Sequence, residues 1–212
     1  MSRDADGLDE RGRLLEVVTV VILGVATVAS AWCAFQSSRW NDRSDDDARI
    51  ATDARVEQSR LYSKATTTIV YDSNIAIAYA GAVADENDKL IQFYRTKLVR
   101  PEFLPIIDEW RASVASGNTD VTNLLENEDY LASLFKGSQE AEQQVINATA
   151  DATTAGEYAN DYLLTTLFMA SALFFAGVVS TFKVRSAKGM LLLGAMFLLA
   201  LGAARIAGLP IA

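Results

Sequence analysis

The chain has 212 residues, of which 50% are hydrophobic, a mean hydropathy of +0.14 and a formal net charge of -8. Its apolar residues are gathered into runs of about 20 instead of being spread along a soluble core, which is a membrane-protein composition. A pI near 4.6 excludes the basic footprint of a nucleic-acid binder; the absence of His, with one Cys, excludes the usual zinc sets, an internal disulfide and a Ser-His or Cys-His nucleophilic pair.

A short tail, 1–13, carries Arg3, Arg11 and Arg13 among Asp4, Asp6, Asp9 and Glu10 and is read as cytoplasmic. It leads into LLEVVTVVILGVATVASAWCAF, residues 14–35, long enough as helix to cross a hydrocarbon core of roughly 30 Å. Ala29-Ser30-Ala31 matches a signal-peptide cleavage pattern, but the run exceeds the roughly 7–15 residues of a signal core, so it reads as an uncleaved anchor. Trp32 in the small-residue position before Cys33 argues against a lipoprotein signal, and Cys33 itself reads as a small packing residue. Trp32, Gln36 and Trp40 recur every four residues and are expected on one helical face, with Trp32 and Trp40 as interface anchors rather than a ligand-binding aromatic box.

Between 41 and 84 there is no Pro and the one Gly is Gly81, so helix should continue beyond the bilayer. Ala51, Ala54, Leu61, Ala65 and Thr68 follow a three-four spacing interrupted by Gln58. A break is expected at Asp72-Ser73-Asn74, and IAIAYAGAVA, 75–84, is too short to cross a membrane. Asp42, Asp45, Asp46 and Asp47 lack the alternation, central Gly and closing Glu of an EF-hand and read as solvated, as do Asp85, Glu86 and Asp88. Pro101 is expected to end one helix near Val99 and open another over 102–114, with Phe103, Ile106, Ile107 and Trp110 as its apolar face and a loop at 116–120.

Leu131, Leu134, Ser138, Ala141, Val145, Ala148, Ala152, Ala155, Ala159 and Tyr162 alternate three and four apart, a coiled-coil seam. Its mostly Ala composition invites a close partner, and 41–71 has the matching length. Residues 36–160 are therefore expected to form an extracytoplasmic antiparallel helical stalk with a small helical cap, inserted between spans 1 and 2 of an all-α protein. Spans 2 and 3 are 161–182 and 189–209, joined by a turn, 183–188, that holds Lys183, Arg185 and Lys188 without an acid. The positive-inside bias puts that turn and the N-terminus in the cytoplasm, and 36–160 and the tail 210–212 outside, in a bacterial inner membrane. Arg205, one turn from the outer end, either snorkels or forms an interfacial ion pair with Asp161 or Glu157. Small residues repeat every four at Ala26-Ser30-Ala34, Ala172-Ala176-Ser180 and Ala200-Ala204-Gly208, a pattern of close helix contact.

AWCAFQSSRW after the first span, FYRTKLVRPEFLPIIDEW in the middle and DYLLTTLFMASALFFAG opening the terminal hairpin resemble a group of uncharacterised bacterial three-span integral membrane proteins. The resemblance covers most of the chain; it implies topology and supplies no catalytic residues. No phosphate loop, nucleophile elbow or H-E-x-x-H motif occurs. The expected function is a non-enzymatic scaffold or assembly subunit of an envelope complex, needing no cofactor or metal, whose partners are the lipid bilayer and either further copies of itself or other envelope membrane proteins. A pore or transporter subunit and a ligand- or envelope-sensing protein are the alternatives.

Overall fold

The computed structural model describes residues 3–117, 124, 126–182 and 184–212, with the backbone alone for 3–12 and Arg185. Among the described residues every regular element is helical. Helix α1 runs over Arg3–Ala84, α2 over Asp88–Phe93, α3 over Leu104–Ala115, α4 over Glu128–Val178 and α5 over Arg185–Gly208; a π-helical turn, Tyr94–Leu98, follows α2 and a 3₁₀ turn, Val179–Thr181, follows α4. Three of these, α1, α4 and α5, are long and apolar enough to cross a membrane, consistent with a multi-pass membrane protein.

The chain divides into two compact units, one made of residues up to Arg49 with Ala148–Ala212, the other of Ile50–Asn147. In the first unit small residues allow helices to approach. Ile22 packs with Ala176, Val179, Leu192 and Ala195, and Cys33 and Trp40 pack with Ala155, Ala159 and Tyr162. Along α4 and into the 3₁₀ turn after it, the buried positions Tyr162, Thr165, Met169, Ala172, Ala176 and Val179 keep a three-four spacing, while Leu163, Leu167 and Phe174 are exposed. Large apolar side chains outside and small ones inside is the arrangement lipid favours. Five hydroxyls within the apolar runs, those of Thr19, Thr27, Thr165, Thr166 and Ser171, each donate to the carbonyl four residues back, whereas the buried Ser30 Oγ in the first run has no hydrogen-bond partner among the described residues.

In the second unit Ala76, Tyr79 and Ala82 of α1 meet Ile91, Phe103, Ile107, Trp110, Leu124 and Tyr130 in one apolar core. Glu86, with φ 50°, takes the chain out of α1 in the left-handed region, and the Asn87 side chain accepts from Leu90 N at 3.1 Å to cap α2.

Three expectations are corrected here. No break occurs at 72–74; α1 is a single helix of 82 residues. Asp72 spends its carboxylate on Tyr130 and Arg100 rather than on its own backbone, and no Pro or Gly stands there to stop the ladder. Pro101 does not open α3. That helix starts at Leu104 with Pro105 in its first turn, and Phe103, Ile107 and Trp110 are buried beneath it. Lastly, the six-residue turn is shorter than expected: α5 begins at Arg185, so Arg185 and Lys188 belong to its first turn, while Lys183 lies outside the described residues.

Candidate functional site

Within the second unit the strongest polar constellation centres on Asp72, 2% exposed on α1. The Tyr130 hydroxyl donates to Asp72 Oδ2, and Arg100 Nη2 donates to the Tyr130 oxygen at 3.3 Å. Arg100 Nε stands 3.4 Å from Asp72 Oδ1, near enough for an ion pair but outside hydrogen-bond geometry, so both atoms lack a hydrogen-bond partner. Burial, then the Asp72 hydrogen bond, pushes the Tyr130 phenol well above its ordinary range. The cluster clamps together α1, the α2–α3 connection and the first turn of α4. On the surface of the same unit, Arg95 pairs with Asp108 through two contacts, and its hydrogen bond holds the Asp108 carboxyl below the ordinary carboxylate range.

A groove of about 630 Å³ adjoins the clamp, lined by Ser63, Lys64, Thr67, Thr68, Tyr71 and Arg100. All of these but Arg100 stand on α1, where Ser63 also belongs to a neighbouring face whose large apolar members are exposed. Val56, Ser59, Ser63, Thr66, Val70, Ser73 and Ile77 step three and four residues apart without one charged side chain. Val56, Val70 and Ile77 are 66%, 56% and 59% exposed. The inward face of α1 follows the same rhythm through Ala54, Gln58, Leu61, Ala65 and Asp72. Successive residues turn by about 100°, so the two faces lie on nearly opposite sides of the helix. The outer face was overlooked because its apolar members are separated by Ser and Thr; an uncharged three-four stripe, rather than a hydrophobic one, was the signal available.

In the first unit, Arg205 Nη2 approaches Asp161 Oδ1 to 2.7 Å, with the two side chains 36% and 41% exposed. Beside them residues 209–212 leave α5 and dock: Trp40 Nε1 and the Tyr162 hydroxyl donate to the Pro210 carbonyl at 3.0 and 3.2 Å, and Ala212 N donates to Gln36 Oε1 at 2.9 Å. Gln36 and Trp40 are buried with Cys33, whereas Trp32 is 43% exposed. Thus the two tryptophans do not share a face: a spacing of seven, from Cys33 to Trp40, follows the packed side of α1 better than two steps of four. Of the seam residues on α4, Ala141, Ala148, Ala155 and Ala159 are buried, and Leu131, Leu134, Val145 and Ala152 half-buried. Lys188 is half-buried; the side chains of Lys183 and Arg185 lie outside the described residues.

Among the described residues no group of three acidic or sulfur ligands is placed to hold a metal ion. Compared with protein-family models, characterised proteins and solved structures, the chain matches none.

Proposed function

We propose that the chain is a non-enzymatic scaffold subunit of a bacterial inner membrane, which assembles with a second copy of itself through an extracytoplasmic helical stalk. In this reading 41–71 and 131–160 form an antiparallel pair and 72–116 supplies the cap. Supporting it in one unit, Ser37 and Ser44 hydroxyls donate to the carbonyls of Ala159 and Ala152 at 2.9 and 2.8 Å, so numbers rise on one helix as they fall on the other. In the other unit, the Tyr62 and Phe135 rings lie tilted against each other with centroids 5.4 Å apart. The small seam residues let the backbones come close.

The observation that carries self-assembly is the uncharged outer face of α1, from Val56 to Ile77. Copies anchored in one membrane meet in parallel, and a seven-residue repeat places Val56, Ser63, Val70 and Ile77 each against its own counterpart. No like charges oppose at these positions. Glu57 and Arg60, which flank the face, already neutralise each other at 2.6 Å.

The test uses single cysteines in a Cys33→Ala background. Under mild oxidation in native membranes Ser63→Cys and Val70→Cys should give dimers, while Lys64→Cys, one step around the helix, gives few. Val56→Glu with Val70→Glu should shift the detergent-solubilised protein to a monomer on gel filtration with light scattering. Monomers at every concentration, or cross-links exclusively to another protein, would refute self-assembly.

A further inference from the structure

We infer that the second unit binds a small organic carboxylate in the groove beside Tyr71, an activity independent of self-assembly. The lining of that groove includes two cations, Lys64 and Arg100, and no acid. Its volume of about 630 Å³ falls within the roughly 300–1,000 Å³ of sites that hold small molecules. On α1 the lining forms two adjacent rows at steps of four, Ser63, Thr67 and Tyr71 beside Lys64 and Thr68, so one stretch of helix presents them together.

Charge and hydrogen bonding both call for an anion. Lys64 is exposed and makes no ion pair or hydrogen bond among the described residues. Glu57, seven residues ahead of it, is already bonded to Arg60 at 2.6 Å. Arg100, with its side chain 31% exposed, gives one Nη2 hydrogen to the Tyr130 oxygen at 3.3 Å, and its Nη1 donates to nothing among the described residues. Asp72, 2% exposed and not in the lining, balances the Arg100 charge. Lys64 is left uncompensated, and a monoanion restores neutrality. Glu102, 68% exposed, stands 3.6 Å from Arg100 Nη2 and competes with that anion. A guanidinium offers a carboxylate parallel N–H donors while an ammonium adds a point charge. The Ser63, Thr67 and Thr68 hydroxyls, which make no hydrogen bond among the described residues, add further donors. The Tyr71 hydroxyl donates to the Leu98 carbonyl at 2.8 Å, which fixes its 42% exposed ring as an apolar wall for the body of the ligand. Another cavity of the same unit, about 280 Å³, holds Glu109 and Glu126 without a cation and would repel such a ligand.

The full chain in mild detergent is treated with an amine-reactive reagent, and modification of Lys64 is followed by peptide mass spectrometry against the exposed Lys89 of the same unit. Sodium benzoate at ten times its dissociation constant should slow Lys64 about tenfold. At equal concentration benzamide, with the same shape but no charge, and acetate, with the charge but no ring, should protect Lys64 far less, and none of the three should slow Lys89. By calorimetry Lys64→Gln should weaken benzoate about tenfold, the worth of one charge-assisted hydrogen bond, and Glu102→Gln should strengthen it, with helicity by circular dichroism unchanged in both. Arg100 is left in place because it holds the clamp. Equal protection by benzamide would reduce the groove to an apolar crevice and overturn the inference. So would equal slowing of Lys89, an unchanged affinity in Lys64→Gln or an unimproved one in Glu102→Gln.

Discussion

Asp72 is the most consequential single side chain outside the apolar runs, because it is a buried carboxylate whose two partners come from different elements. Asp72→Ala would remove the buried carboxylate that Tyr130 and Arg100 share, leaving Arg100 the exposed Glu102 at 3.6 Å as its anion, and removing one partner of a buried pair costs about 3–5 kcal/mol. Tyr130→Phe is milder, about 1–3 kcal/mol, since Arg100 still faces the carboxylate. Thermal denaturation of the two variants in detergent checks the order. The same phenol sets a pH dependence. Its folded pKa is raised above the unfolded value of about 10, so its contribution to stability is intact below that pH and is lost as pH rises further. Tyr130→Phe should therefore flatten the alkaline fall in stability. Gly202 is a second sensitive position: a Cβ there meets the terminal methyl of Met169. Because that methyl ends a flexible side chain, Gly202→Ala should be tolerated, whereas Gly202→Leu should overpack the site and cost about 1–3 kcal/mol, read as a lower melting temperature.

At the scale of elements, α1 is the test of how far local signals reach. Its unbroken course implies that Ser73 and Asn74 tolerate helix once Asp72 is held elsewhere; the Asp72→Ala variant should keep its helical content while losing cooperativity, a split that circular dichroism and calorimetry together resolve. The three apolar runs and the helical character of 41–84 were legible because each rests on composition within one segment. Trp32 misled because steps of four were read where the packed side of α1 advances by seven. The Asp72–Arg100–Tyr130 clamp was not legible at all: its members are far apart in sequence, each is an ordinary polar residue locally, and only tertiary packing joins them. Pro101 was read as the helix start without regard to Pro105. Two prolines four residues apart offer the same helix-start chemistry, and the helix uses the second, with the buried Phe103 just ahead of it.

At the scale of the whole molecule the proposed function depends on which side of the membrane each end of a span meets. The start of α5 concentrates Arg185 and Lys188, with Lys183 just ahead, on a connection too short to escape the positive-inside bias. A long inserted segment translocates largely regardless of its own charge, and between residues 41 and 160 acids outnumber bases, so no basic face would hold it at an anionic leaflet. Ser116 and Ser186 are both exposed, which makes each a fair reporter. In a Cys33→Ala background, Ser116→Cys should react with a membrane-impermeant maleimide in intact spheroplasts, and Ser186→Cys after lysis alone. The reverse pattern would invert the topology. The uncharged face of α1 would then look into the cytoplasm, and self-assembly there would have to be weighed against docking of a soluble partner, which the Ser63→Cys cross-link, repeated in that orientation, would separate.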